Sequence, residues 1–354
     1  MFNRNQTKQV KFNDIVIGGQ NNLVIQSMTN TKTANISATL KQINELKDAG
    51  CEVVRIAVFD DEDAKSLAEL VKKSNLPLIA DIHFNFEYAI IAIKSGIKKI
   101  RLNPGNLEDP EKLKLICEYA NKYNVVIRIG VNSGSLPKSI TNLYDDQAIQ
   151  MVESAKYYIK LLNSNNFDNI VVSLKSSDPL ITLRAYQLAS NEFNYPLHLG
   201  VTEAGMLEDA IIKSSAGLAP LLIQGIGDTI RISITDDPVK EIYVVRKLLN
   251  VLQIRSDMVN IISCPTCGRL NYDMFPIVEE IKKYTKNINK KITISILGCI
   301  VNGIGEGKEA DIGLAGSYDK VILFKKGQIY KTIPSKNALE ELKHLIDEYL
   351  KEIN

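Results

Sequence analysis

The chain predicts an α/β architecture, a (β/α)8 TIM barrel followed by a smaller α+β domain, on three observations. Eight short β-branched runs recur between residues 23 and 235, each followed by a stretch with helical apolar spacing. The first run lacks the Gly-x-Gly-x-x-Gly turn of an open, doubly wound sheet, the other architecture with this rhythm. Near residue 250 the rhythm stops, and 354 residues exceed what one hydrophobic core usually carries.

In order, residues 10–17 and 23–28 read as a small hairpin, reversing at Gly18-Gly19, that leads into the first barrel strand. The other barrel strands are expected at residues 53–58, 78–83, 99–103, 125–132, 170–175, 197–202 and 229–235. Helix starts are marked by Asn35 and Ser37, by Ser176 or Asp178-Pro179, and by Asp236-Asp237-Pro238. Residues 254–257 have loop character. Beyond them come a strand into Cys264-Pro265-Thr266-Cys267-Gly268, a helix over 274–285, a strand over 292–297 running to Cys299, and a short strand near 311–315. A hairpin through Lys325-Lys326-Gly327-Gln328 and a terminal helix over 335–351 complete it. The expected domains are residues 1–250 and 251–354.

Hydrophobic residues make up 45% of the chain and charged residues 24%, and 43 basic against 41 acidic side chains leave a net charge of +2. This composition suits a soluble globular enzyme and provides no global field to grip nucleic acid, so a bound anion must be held by a local cluster of cations. An odd number of cysteines, five, and an amino terminus without an apolar signal run predict a reducing cytoplasm. No window approaches the ~18 apolar residues of a membrane span.

Alternate residues of a barrel strand face the interior, which is normally apolar. Here Arg55 shares a face with Val53 and Ala57, Asp81 with His83, Arg101 with Asn103, Arg128 with Gly130 and Asn132, and Lys175 with Ser173. The carboxyl ends of the strands, toward which they lie, are where barrel enzymes build their sites. Buried cations need anionic company, and inward carboxylates are expected only at Asp81 and, just past a strand, Glu203. The deficit predicts an anionic substrate, and phosphate or diphosphate suits the fork of several arginines. Any one such residue is more often a salt-bridged or outward-facing strand residue, but basic residues at matching positions on successive strands are harder to dismiss. His83 and His198, both on barrel strands, are weighed evenly between site and structural roles. His344 reads as surface, and Cys51 and Cys117 as small buried hydrophobes.

Cys264 and Cys267, bent by Pro265 and released by Gly268, can aim two sulfurs at one centre, and Cys299 follows between Gly298 and a Gly303-Ile304-Gly305 loop. Three thiols among glycine, proline and asparagine point to a metal or a cluster rather than to core cysteines.

Together these stretches resemble the bacterial, two-domain 4-hydroxy-3-methylbut-2-enyl diphosphate synthase family. The resemblance rests on Gln26-Ser27-Met28-Thr29, Ala80-Asp81-Ile82-His83-Phe84-Asn85, Arg101-Leu102-Asn103-Pro104-Gly105-Asn106, Arg128-Ile129-Gly130-Val131-Asn132, His198-Leu199-Gly200-Val201-Thr202-Glu203-Ala204-Gly205, Gly225-Ile226-Gly227-Asp228-Thr229-Ile230-Arg231 and the cysteine signature. It implies an iron-sulfur oxidoreductase of the non-mevalonate isoprenoid pathway that reductively opens 2-C-methyl-D-erythritol 2,4-cyclodiphosphate and removes a hydroxyl as water. It implies a 4Fe-4S cluster held by Cys264, Cys267, Cys299 and Glu306, a carboxylate ligand that can yield its place to a substrate oxygen. On it, Arg55, Arg101, Asn103, Arg128, Asn132, Lys175 and His198 bind the diphosphate, and Glu306, Glu203 and His83 are the catalytic candidates. It also implies a flavodoxin or ferredoxin donor of single electrons, and a homodimer in which the cluster domain of one subunit caps the barrel of the other, with the linker near residue 250 as hinge. The chain departs from the family pattern at Phe59-Asp60, where proline is usual, in a shortened segment after Leu136, and at Ile304, where proline is frequent. The rival expectation is a phosphate-binding barrel fused to a structural zinc module. It is weakened because structural zinc usually takes Cys or His as its fourth ligand and the stretch holds no histidine. An electron carrier without its own substrate would leave the barrel cations unexplained.

Overall fold

The computed structural model describes residues 6–83, 85–102, 109–270, 272–301, 305, 307–317 and 319–353. It divides into two compact units, Met1–Leu248 and Leu249–Asn354.

The first unit begins with a two-stranded hairpin, β1 (Val10–Phe12) and β2 (Ile15–Ile17). Its reversal is at Asn13-Asp14, not at Gly18-Gly19 as the glycine pair suggests. Asn13 takes φ 48, a left-handed conformation that asparagine tolerates in a tight turn. Gly18 and Gly19 do adopt positive φ, but they steer the chain out of the hairpin, where a Cβ on Gly18 would lie 2.2 Å from the Lys8 carbonyl oxygen.

Eight parallel strands follow: β3 (Val24–Met28), β4 (Val53–Val58), β5 (Leu78–Ile82), β6 (Lys99–Leu102), β7 (Val126–Asn132), β8 (Ile170–Lys175), β9 (His198–Leu199) and β10 (Thr229–Ile230). Their order, β8-β7-β6-β5-β4-β3-β10-β9, closes through an isolated parallel bridge between Val172 and Leu197. The last two strands hold only two residues each, shorter than the β-branched runs suggest. The helices between strands are capped where expected. Asn35 accepts from Ala38 N ahead of α1 (Ile36–Asp48), which leaves Ser37 inside the helix. Asp178, not Ser176, caps α7 (Pro179–Glu192). The last barrel helix, α9, runs over Pro238–Val251.

The hairpin plugs the amino-terminal end of the barrel. Val10, Phe12 and Ile17 form one buried cluster with Val24, Val53, Ile79, Val126 and Val171, inward residues at the strand starts. Each fully buried side chain of this size contributes about 1.5–3 kcal/mol. The floor of the barrel is therefore closed and mostly apolar, with the buried Lys99 amine 4.9 Å from the centre of the Phe12 ring, and the arginines lie above it.

The second unit is a five-stranded sheet in the order β11-β12-β13-β14-β15. Its strands are β11 (Val259–Ser263), β12 (Ile292–Leu297), β13 (Ile312–Ser317), β14 (Lys320–Lys325) and β15 (Gln328–Pro334), the first three parallel to one another and the last two added antiparallel. Its two long helices, α10 (Met274–Tyr284) and α11 (Ala338–Glu352), contribute Met274, Ile277, Ile281, Leu342, Ile346 and Tyr349 to one core with Ile292, Ile294, Ile296 and Leu314. Among the described residues no helix is long and apolar enough to cross a membrane.

Candidate functional site

Above the hydrophobic floor, the barrel interior is lined by charge. Strand register sets Asp81 beside Arg101 and Arg101 beside Arg128 on successive strands. Asp81 is 3% exposed and lies 3.2 Å from Arg101 Nη1 and 3.7 Å from Arg55 Nε. Burial alone would raise the Asp81 carboxyl, but Arg55, the His83 contact and Arg101 outweigh it and hold the group well below the usual carboxylate range. His83 stands half-exposed, its Nε2 2.9 Å from Arg101 Nη1 and 3.2 Å from Asp81 Oδ2. Nε2 cannot accept from Arg101 and donate to Asp81 at once, so the two contacts are alternatives selected by the tautomer of the ring.

Arg128 is the largest fully buried side chain and donates from Nη1 to Ser173 Oγ at 3.1 Å. Burial, then Arg55 and Arg101, press its guanidinium toward proton loss, but arginine keeps its charge at physiological pH. The Lys175 amine is pushed well below its ordinary value by burial and by Arg128, Arg55, Arg231 and Arg101. His198, fully buried with Nδ1 2.7 Å from Thr229 Oγ1, is likewise pushed down by burial and then by Lys175 and Arg128, which leaves the ring neutral. Arg55 falls to about 10, through burial and the neighbouring arginines against the opposing pull of Asp81.

Two glycines make the crowding of cations possible. A Cβ on Gly130 would lie 2.5 Å from Arg101 Nε, and one on Gly200 would lie 2.7 Å from Lys175 Nζ. The long side chains cross the barrel over backbone that carries nothing to block them.

The chemistry of this chamber is in its unused donors. Gln26 Nε2, Arg101 Nε, Arg128 Nε and Nη2, and His198 Nε2 are buried and have no hydrogen-bond partner among the described residues. Buried polar groups are ordinarily satisfied, and a set this concentrated, nearly all donors and mostly cationic, fits an oxyanion with several oxygens. Gln26, inward between Val24 and Met28 on β3, was legible from strand alternation but is not among the sequence candidates.

The structure also corrects the count of carboxylates. Glu203 does not turn inward: it is exposed on the loop after β9, with φ 51. A buried carboxylate that the sequence reading did not place there is Glu241, 1% exposed, which reaches the barrel from the first turn of α9 and pairs with Arg231 at 2.8 Å. An acid at a helix start reads in sequence as complementing the helix dipole, so nothing marked it. Arg231 joins the cation cluster, since its charge presses on both Arg55 and Lys175. Asn132 ends β7, half-buried, opposite Lys175 in the ladder. Asn103 lies outside the described residues.

In the second unit, Cys264 follows the end of β11 and Cys299 the end of β12, neighbouring parallel strands in which Ser263 pairs with Ile296. Gly298 N–H donates to Cys264 Sγ at 3.2 Å, which ties the two cysteine loops together. Of the three cysteines of the motif, Cys267 is exposed and Cys264 and Cys299 are half-buried. A Cβ on Gly268 or Gly305 would meet no atom of the described residues within 4 Å. Three cysteines on neighbouring loops, an N–H donor to sulfur and unobstructed glycines are what a thiolate-held cluster requires. Among the described residues no three metal-ligating side chains converge tightly enough to hold a single ion, and Glu306 lies outside the described residues. Cys51 and Cys117 are buried, and burial pushes both thiols up to about 12, as suits inert core residues.

A family model described as the GcpE TIM-barrel domain matches residues 7–246, and one described as the GcpE protein C-terminal domain matches residues 260–348. The chain is 51% identical over 350 residues to a protein of Mycoplasmoides gallisepticum, covering 99% of this chain and 98% of the relative. It is 53% identical over 349 residues to one of Malacoplasma penetrans, covering 99% and 96%. Both carry the name 4-hydroxy-3-methylbut-2-en-1-yl diphosphate synthase (flavodoxin). Among solved structures, dihydropteroate synthase from Xanthomonas albilineans in complex with 7,8-dihydropteroate aligns with TM-score 0.51 and 18% identity over 69% of this chain and 97% of that one, a likeness of barrel fold alone.

Proposed function

We infer what this chain does from the premise that it belongs to the GcpE family. It is an oxidoreductase that converts 2-C-methyl-D-erythritol 2,4-cyclodiphosphate to 4-hydroxy-3-methylbut-2-enyl diphosphate in the non-mevalonate isoprenoid pathway, by reductive ring opening and dehydroxylation. Two electrons enter, the C–O bond to the ring phosphate breaks, and a hydroxyl leaves as water with a proton.

The observation that carries the substrate's placement is the set of unpartnered buried donors on Gln26, Arg101, Arg128 and His198. In this reading the barrel unit binds the diphosphate through Arg55, Arg101, Arg128 and Lys175, with Asn103, Asn132 and His198 as neutral partners. Lys175, whose amine is held low by burial and by its cationic neighbours, gains a counter-charge when the diphosphate enters. His83, at the half-exposed edge beside Arg101, orients that guanidinium and is placed to exchange a proton with solvent. Glu203 and Glu306 are the other proton candidates.

In the second unit Cys264, Cys267, Cys299 and Glu306 would hold a 4Fe-4S cluster, which would supply single electrons. The Gly298 N–H bond to Cys264 stabilises thiolate charge at that ligand. The electron donor is a flavodoxin, the protein acts as a homodimer with active sites shared between subunits, and the setting is cytoplasmic.

The test is anaerobic turnover of the cyclodiphosphate with a chemical reductant, followed by product identification. Formation of 4-hydroxy-3-methylbut-2-enyl diphosphate by brown, air-bleached protein supports the reading. A colourless, inactive protein with one zinc per chain would replace it with a phosphate-binding barrel carrying a structural zinc.

A further inference from the structure

Glu241 is a buried carboxylate beside the cation cluster that the substrate site does not draw on directly. Its two oxygens are fully engaged: Oε2 accepts from Ser27 Oγ at 2.6 Å and from Arg231 Nε at 3.0 Å, and Oε1 accepts from Arg231 Nη2 at 2.8 Å and from Ile234 N at 3.3 Å. An acid in a first helical turn needs no such partners to complement the helix dipole; buried away from water, this carboxylate has its lone pairs satisfied by all four donors. What these four contacts achieve is to fix the plane of one guanidinium. The pair is side-on, through Nε and Nη2, so the Nη1 edge of Arg231 is left for something else.

That edge points to Met28. Arg231 Nη1 lies 3.6 Å from Met28 Sδ, and Arg55 approaches the same sulfur with Nε at 3.0 Å and Nη2 at 2.9 Å. A thioether is a weak acceptor, so neither guanidinium spends much of its hydrogen-bonding strength there. Two like charges around one neutral sulfur repel each other, and they stay together because each has a carboxylate beside it. Asp81 serves Arg55 at 3.7 Å, and Glu241 serves Arg231.

We propose that Glu241 is a positioning residue for substrate binding: it sets Arg231 so that Arg231 and Arg55, on either side of the Met28 sulfur, form one fork for a phosphate of the diphosphate. The Arg101–Arg128 pair, adjacent in the strand register, then forms a second fork for the other phosphate. This rests on the diphosphate-binding reading above. Glu241 touches no substrate atom, and all of its effect on binding passes through Arg231.

The test is a double-mutant cycle on the full-length, cluster-loaded protein, with binding of inorganic pyrophosphate read by calorimetry under anaerobic conditions. Glu241→Gln keeps an acceptor for Ser27 but turns an amide N–H toward Arg231, and should weaken pyrophosphate binding about tenfold, corresponding to ~1.4 kcal/mol. In turnover the same variant should raise KM for the cyclodiphosphate while kcat holds, the signature of lost uniform binding. In an Arg231→Met background, Glu241→Gln should change affinity by less than about twofold, because nothing remains for Glu241 to position. Equal losses in the two backgrounds would mean a general structural role and overturn the proposal, as would an unchanged affinity in Glu241→Gln alone. Should Glu241→Gln fail to fold, Glu241→Asp keeps the charge but is too short to span both nitrogens, and it must show the same silence in the Arg231→Met background. A wild-type protein that binds neither pyrophosphate nor the cyclodiphosphate overturns the functional reading together with this one, whereas wild-type binding with an indifferent Glu241 overturns this one alone.

Discussion

Replacing Arg128 with methionine should stabilise the empty protein while removing most of its hold on the anion. Arg128 is 1% exposed, and of its donors Nη1 reaches Ser173 while Nε and Nη2 have no partner among the described residues. Each unpaired buried donor costs about 1–3 kcal/mol, against which the one charged hydrogen bond returns about 1.5–3 kcal/mol. Methionine fills similar length without those donors, and Ser173 Oγ keeps its bond to the Ile129 carbonyl at 3.3 Å. The net gain should fall in the range of about 1–4 kcal/mol seen when buried ionic groups give way to apolar ones. At about 2–4 °C per kcal/mol for a unit of this size, Tm should rise by roughly 2–16 °C. The assay is thermal unfolding under anaerobic conditions with and without pyrophosphate. At about 100 Kd of ligand the wild type should gain ~2.7 kcal/mol, and the variant far less. A lower Tm in ligand-free Arg128→Met, or an undiminished ligand-induced shift, would refute the claim that this arginine is held in the barrel for the sake of an anion.

Asp81 tests the opposite side of the same balance. Its folded-state carboxyl lies below its unfolded value, so its contribution to stability is present above about pH 4 and is lost only as pH falls through the lower folded value. Asp81→Asn should therefore destabilise at neutral pH by about 3–5 kcal/mol, leaving Arg55 and Arg101 without their counter-charge, and should flatten the acid limb of a stability–pH curve; an unchanged acid limb would show that other groups carry it. Gly200→Ala should displace Lys175, whose Nζ lies 2.7 Å from where the new Cβ would be, and crowd the Arg231 carbonyl oxygen at 2.8 Å, so pyrophosphate affinity and Tm should both fall, checked by paired calorimetry and melting. Glu306→Ala should leave a cluster visible by absorbance and electron paramagnetic resonance while dehydroxylation stops; full turnover in that variant would remove the carboxylate from the mechanism.

Arg55, Arg101, Arg128 and Lys175 could be read from sequence because β-strand alternation is strict and a cation on an inward face breaks an apolar pattern at once. The same rule reached the cysteine loops, where residue type and spacing are themselves the signal. It could not reach Glu241. That carboxylate enters the barrel from a helix, through a contact with Ser27 that joins residues 214 apart in the chain, and its position in a first turn has an ordinary explanation that conceals the pairing. The hairpin turn escaped for a related reason: Gly18-Gly19 is the stronger local signal and does bend the chain, but the ladder is set by which apolar residues can plug the barrel, and that choice moves the reversal to Asn13-Asp14. In both cases the missing information is tertiary. One consequence follows for the site. A barrel whose cations are all on strands would repel itself apart; here the counter-charges come from two different places, Asp81 on a strand and Glu241 on the last barrel helix, so the cluster is braced from two sides while donors of Arg101 and Arg128 stay buried without a partner among the described residues. An anion with two phosphates fits such a cluster better than one with a single phosphate, because neither brace alone can bring all the donors onto one centre.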